Sequence, residues 1–224
     1  MLSNLLKWGT RRPDASSTGV QAPAPAEEPV VPSKAFQKFA ASMTGKDAPV
    51  VLDFGPVTGP NVAFCGEQLG CKLFIEDLVP DVDRHLRGTA SEDLAMSLRT
   101  RFAHPDGSID GILCWDVFDF LPKGAAQVLA TEIVRLLKPG GSMMGFFCTS
   151  GVERAAFTRF EIVDDRGIRH RYRPGQGGKR VSLPNRDIIR MFDGLIVAES
   201  FLLKNNMREM LLRKGAAAPH TRSA

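Results

Sequence analysis

Val50-Val51-Leu52-Asp53-Phe54-Gly55-Pro56-Val57-Thr58-Gly59-Pro60-Asn61 is the stretch whose reading decides the fold. Val50 to Asp53 reads as a short apolar strand ending in an acid. The segment from Gly55 to Gly59 reads as a tight turn. Pro60 suits the first turn of a helix, where its missing N–H is not needed. Strand, glycine turn and helix start together make a corner that backbone and ligand can share closely, with free helix N–H groups facing an anion. Such a corner occurs in many α/β proteins, so its meaning depends on its surroundings.

Upstream, Ser33 is placed to cap a helix in which Phe36, Phe39, Ala40 and Met43 share one face and Gly45 ends the turn. Downstream, Asn61 to Leu69 reads as a helix closed by Gly70, and Cys71 to Asp77 as a second strand ending in the acids Glu76 and Asp77. Pro80 opens a short helix through Leu86. Ser91 caps a helix carrying Leu94, Leu98 and Phe102, and His104-Pro-Asp-Gly turns into a strand from Gly111 to Trp115. A helix from Lys123 to Lys138 breaks at Pro139-Gly140-Gly141 before a strand from Met143 to Cys148. Short apolar strands alternating with amphipathic helices imply a mostly parallel sheet with helices on both faces, wound by right-handed crossovers. Ligands then bind at the carboxyl ends of the strands, where Asp53, Glu76, Asp77, Trp115 and Asp116 all fall.

After Cys148 the pattern changes. Phe157 to Val163 and Ile168 to Tyr172 read as a β-hairpin around Asp164-Asp165-Arg166-Gly167, followed by a helix from Pro184 to Phe192. Leu195 to Leu203 and Glu209 to Arg213 make an antiparallel pair closing the sheet. The domain organisation expected is a disordered segment and Pro/Ala-rich linker over residues 1–32, one domain over 33–214 with a basic hairpin insertion at about 157–180, and a disordered tail over 215–224. Residues 1–12 set Leu2, Leu5, Leu6 and Trp8 beside basic residues. Two readings stand there, a frayed terminus or an amphipathic segment touching a membrane or partner.

The chain has 224 residues, 43% hydrophobic and 24% charged, with a formal charge of +4, an ordinary soluble composition with room for one full core. No apolar run approaches the roughly 20 residues that span a bilayer. Cys65, Cys71, Cys114 and Cys148 contain no C-x-x-C pair and fall in apolar segments, which reads as buried reduced thiols in a cytoplasmic protein. The four histidines are not spaced as a zinc pair, so no metal is expected.

Four pieces in order resemble the class I S-adenosylmethionine (SAM)-dependent methyltransferases over residues 48 to 214. They are Val51-Leu-Asp-Phe-Gly-Pro-Val-Thr-Gly, the acidic strand end at Glu76-Asp77, the segment Phe102 to Leu121, and Leu136-Leu-Lys-Pro-Gly-Gly-Ser-Met-Met-Gly. The closing strand pair is similar to the family's last two strands, the final one antiparallel. The resemblance implies a Rossmann-like fold, SAM as cofactor and a methyltransferase activity. It places Asp53, Phe54, Gly55, Pro56 and Gly59 around the methionine part of SAM, and Glu76 or Asp77 on the ribose hydroxyls. An ionised carboxylate suits a vicinal diol because it only accepts hydrogen bonds. Trp115 and Asp116 would lie near the adenine or the transferring methyl. Two departures are visible: Val57 stands at the family's middle glycine, and no third strand is legible between Gly88 and Ser108.

No residue identifies itself as a general base; Asp116, Asp119 and His170 are the candidates. The acceptor, whether small molecule, protein or RNA, is expected at the hairpin, where Arg169, Arg171, Tyr172 and Arg173 form a basic stretch with one aromatic. The competing reading of that stretch is a solvated strand face. The competing reading of the whole chain is a catalytically inactive methyltransferase-fold module that binds RNA or an acidic partner through the hairpin.

Overall fold

The computed structural model describes residues 28–90, 92–150, 155–204 and 206–216, and for residues 155 and 173–176 the backbone alone. Residues 1–27, with the amphipathic segment and most of the linker, and residues 217–224 of the tail lie outside the described residues.

Three neighbouring parallel strands carry the sequence's opening signal: β2 (Val50–Asp53), β3 (Lys72–Ile75) and β4 (Ile109–Trp115). With β5 (Leu137–Cys148), β8 (Leu195–Leu202) and β9 (Met207–Lys214) they form a six-stranded sheet in the order β3-β2-β4-β5-β9-β8. Its first four strands run parallel, and β9 pairs antiparallel with both β5 and β8. The sequence therefore folds as the mixed sheet its pattern implies. No strand lies between Gly88 and Ser108 among the described residues; α3 (Val79–Leu86) and α4 (Leu94–Arg101) occupy that region, and β3 is an edge.

Each central strand buries both faces because each is covered by helices. On one side α1 (Lys34–Met43) sets Phe36, Phe39 and Met43 against Val51, Leu113, Met144 and Leu211. Gly111 makes the close approach possible, since a Cβ there would stand 2.7 Å from Phe39 Cζ. On the other side Leu98 of α4 and Leu129 and Ile133 of α5 (Lys123–Leu136) pack on Leu52, Ile112, Met143 and Leu212. Ile188 of α6 (Asn185–Met191) completes that layer. The N-terminus of α1 is held twice: Ser33 accepts from Phe36 N at 3.1 Å, and buried Glu209 of β9 accepts from Ser33 Oγ at 2.6 Å and Lys34 N at 2.9 Å.

A second, three-stranded antiparallel sheet in the order β1-β7-β6 joins β1 (Val30–Pro32), β6 (Ala155–Ile162) and β7 (Gly167–Gly178). Val30–Pro32, read from sequence as the end of the linker, is thus a strand, with its register set by Val30 opposite Arg169 and by the bond from Ser33 N to Arg166 O, 2.8 Å. Two other boundaries differ. Asp93 caps α4, accepting from Ala95 N at 2.9 Å, because a carboxylate one residue before the helix reaches the first free amides directly; Ser91, the cap expected from sequence, lies outside the described residues. β5 begins at Leu137, paired with Ile109, so Pro139-Gly140-Gly141 lies inside the strand's entry.

Candidate active site

The glycine corner forms as its residues dictate. Thr58 caps α2 (Gly59–Ala63), accepting from Asn61 N at 3.2 Å, and Pro60 sits in the first turn; a π-helical turn, Phe64–Gln68, continues it. Asp53 ends β2 beneath the corner, 1% exposed. Its Oδ1 accepts from Gly55 N at 2.8 Å and Trp115 Nε1 at 2.5 Å, and its Oδ2 from Asn61 Nδ2 at 3.4 Å. Burial pushes this carboxyl up to about 6, against the lowering effect of those three bonds.

Trp115 ends β4 where the pairing with β5 slips between Leu113 and Trp115, and its φ is +50°. The slip turns the indole onto Gly55: a Cβ there would lie 2.8 Å from both Cδ1 and Nε1 of the ring. Phe160 of the hairpin stacks on Trp115 at 5.1 Å and 7°, and on Phe146 at 5.0 Å. Two side chains tie the hairpin to the corner. Asn61 donates to Phe160 O at 3.1 Å and accepts from Ile162 N at 2.8 Å, as a strand backbone would. Arg159 Nη2 donates to Val57 O at 3.0 Å, while the Val57 side chain turns to solvent, 62% exposed.

Phe54, Gly55, Pro56, Trp115 and Asp116 line one cavity, closed above by Phe157 and Thr158 of β6 and walled by Val79 and Val82 of α3. Its free space is about 20 Å³, enough for one or two water molecules. Beside it lies a cluster of ionisable groups. Arg180, its side chain 12% exposed, donates to Asp116 Oδ2 at 2.7 Å and holds Nε 3.6 Å from Asp119 Oδ2. Asp119 Oδ1 accepts from Cys148 N at 2.8 Å, and its carbonyl from Val181 N at 2.7 Å. Burial raises Asp116 to about 6, opposed by Arg180 and Thr158. Burial, then repulsion from Asp116, raises Asp119 to about 8.

A carboxyl raised on folding favours the folded state fully below its unfolded pKa, and that contribution is lost as pH rises through the folded value. For Asp119 the loss between pH 7 and 9 amounts to about 1.4 kcal/mol, a fall in Tm of roughly 3–5 °C. Thermal melts across that range should show Asp119→Asn flattening the slope, since the amide keeps the shape and does not titrate. Identical slopes in the two proteins would contradict the assignment.

The remaining sequence candidates sit elsewhere. Gly59 opens α2 with nothing within 4 Å of a would-be Cβ. Glu76 accepts from Arg101 Nε at 3.2 Å, and Arg101 also pairs with Asp81. Asp77 accepts from Val79 N at 3.0 Å, at the head of the helix that walls the cavity. Neither acid lines the cavity. His170 lies behind Phe160, ring centroids 4.9 Å apart, its Nε2 buried. Burial, and then Arg180, lowers it to about 4, so it is neutral at pH 7. Arg169 and Arg171 gather with Arg159 on Glu161, Arg171 Nε at 2.7 Å. Tyr172 is 58% exposed, and the Arg173 side chain lies outside the described residues. Sequence reasoning missed Asn61, Arg159 and the pairing of Arg180. A signal for the last existed: Asp116 and Asp119 in an apolar segment need a buried cation, and Arg180 stands in an acid-free stretch.

Residues 52–145 match the family model described as a methyltransferase domain. No curated protein matches the chain. Among solved structures, the 1,6-didemethyltoxoflavin-N1-methyltransferase of Burkholderia thailandensis, with bound S-adenosylhomocysteine, is 16% identical over 81% of this chain and 79% of its own, TM-score 0.47. The PH0226 protein of Pyrococcus horikoshii OT3 is 12% identical over 78% and 85%, TM-score 0.48. The glycopeptide N-methyltransferase MtfA, complexed with SAM, is 13% identical over 87% and 99%, TM-score 0.46.

Proposed function

We propose, for a chain whose residues 52–145 match the methyltransferase-domain family, that the carboxyl ends of β2, β3 and β4 seat SAM, the family's methyl donor, and present it to an acceptor under the hairpin. The observation that carries this reading is the convergence of the glycine corner and the Trp115–Asp116 corner on one cavity at the ends of adjacent parallel strands. The residue types fit the cofactor. Gly55 keeps one wall free of Cβ, Glu76 and Asp77 offer acceptors for a ribose, and Val79, Val82 and Phe157 are apolar enough for an adenine. The closed cavity is too small, since ligand pockets usually measure roughly 300–1,000 Å³. Seating the cofactor therefore requires the indole and hairpin to move.

SAM, when bound, supplies a methyl group already activated on a sulfonium. The protein's part is alignment and exclusion of water. The corner from Asp53 to Gly59 fixes the amino-acid end, and one acid at the end of β3 fixes the ribose. Asp116, which faces the cavity and is ionised above about pH 6, is the group placed to take a proton from an acceptor amine or hydroxyl. The acceptor is a small molecule, protein or RNA. Arg169, Arg171, Tyr172 and Arg173 on the hairpin are its proposed contacts, although the first two are engaged with Glu161. Residues 33–214, with the β1 strand that joins them, act as one domain. All four cysteines are buried and free, which supports a cytoplasmic setting; no helix among the described residues is long and apolar enough to cross a membrane.

Calorimetric titration with SAM and S-adenosylhomocysteine tests the reading. Micromolar binding is expected, weakened at least about 30-fold, or about 2 kcal/mol, in a Glu76→Ala/Asp77→Ala variant. No heat from the intact protein at millimolar ligand would remove the cofactor assignment.

A further inference from the structure

We infer that Trp115 is the gate of this site: its indole closes the glycine corner in the state described here and must turn out to admit the cofactor, at a rate set by the hairpin. The inference rests on the SAM reading above. Four observations carry it. Trp115 holds a φ of +50°, a costly backbone state for a bulky residue, which persists only where its surroundings overdetermine it. Beyond the pairing with Gly145, what holds the residue is the bond to Asp53 and the stack on Phe160, both made by the indole. The indole fills the face of Gly55 that lacks a Cβ, the face a ligand would need. With the ring in place the cavity holds no more than one or two waters.

The hairpin is the second half of the device. Phe160 lies between the indole and Phe146, and Asn61 and Arg159 fasten β6 to the glycine corner itself. Loosening either tie shifts the population toward the open state. A ligand that binds only that state gains affinity by the same factor. One hydrogen bond lost from Arg159, whose side chain is 36% exposed and whose replacement spares the core, should raise the open fraction roughly fivefold.

The test uses the full chain with Trp8→Phe, which leaves Trp115 as the sole tryptophan. S-adenosylhomocysteine is the probe, so no turnover intrudes. Stopped-flow fluorescence is expected to change on mixing, at a rate that saturates with ligand concentration because opening comes first. Arg159→Gln and Phe160→Leu are each expected to raise the plateau rate roughly fivefold. Calorimetric binding without any change in Trp115 emission or acrylamide quenching overturns the gate and leaves the cofactor site intact. So does a rate that rises linearly and is unaltered in Arg159→Gln. Absence of heat in the wild type and in both loosened variants overturns the cofactor reading, and the gate with it.

Discussion

Arg180→Met is expected to lower folding stability by about 3 kcal/mol, near the lower end of what removing one partner of a buried ion pair costs. Urea denaturation at pH 7 measures it. The guanidinium is the one cation between Asp116 and Asp119 among the described residues, and both acids are at most 5% exposed. Methionine keeps much of the volume beside Phe120, over which the guanidinium lies at 5.4 Å, so the loss is electrostatic rather than a cavity. The cost stays below that of two stranded charges because Asp119, raised to about 8, is largely protonated at pH 7. Asp116→Asn in the same chain should therefore recover most of the loss. A double variant as unstable as Arg180→Met would mean that the arginine's stem, not its charge, holds residues 180–183 across the ends of β4 and β5.

Asp53→Ala should cost about 3–4 kcal/mol of folding stability. It strands the Gly55 N–H and the Trp115 indole N–H in a site 1% exposed, and each buried donor without an acceptor costs roughly 1–3 kcal/mol. Asp53→Asn discriminates further. Its oxygen can still accept from Gly55 and Trp115, but its amide nitrogen would face Asn61 Nδ2. Asn61 cannot turn over without losing its bonds to Phe160 O and Ile162 N. The variant should thus fold with a loosened hairpin, seen as faster amide exchange in β6 with β2 protected. The wild-type carboxyl, raised to about 6, favours folding below its unfolded pKa of about 3.8, and that contribution drains away as pH rises through 6. Asp53→Asn should lack this slope, and a slope unchanged in melts from pH 4 to 7 would place the titration elsewhere.

The sheet was legible in the sequence because its central strands are largely buried and read as apolar runs between glycine and proline breaks, as in Val50–Asp53 and Gly111–Trp115. The helix α1 announced itself through Ser33 and the spacing of Phe36, Phe39 and Met43. Long-range pairings left no local trace. Val30–Pro32 carries no strand signal beyond two valines and forms because β7 offers it an open edge. Of the site, the residues local to the corner could be named, since glycines and strand-end acids advertise themselves. The direction in which Trp115 points depends on a register slip in a strand 30 residues from its partner Gly145, and the grouping of Arg180 with Asp116 spans 64 residues. Neither follows from periodicity. Asp53 could be named as part of the corner, but its bonds to Trp115 and Asn61, 62 and 8 residues away, could not.

Among the described residues no strand lies beyond β3, and this bears on how the molecule survives at high concentration. A sheet that stops there presents unpaired backbone amides and carbonyls along its last strand, a template for another chain. Here that template is only four residues long, and it opens with Lys72, whose ammonium lies 4.9 Å above the Phe74 ring. Phe74 is itself covered from the side by His104, ring centroids 4.8 Å apart. An incoming strand would have to strip water from the lysine and displace the histidine for the sake of a few hydrogen bonds. The shortened sheet is thereby guarded against self-association at the side it left open.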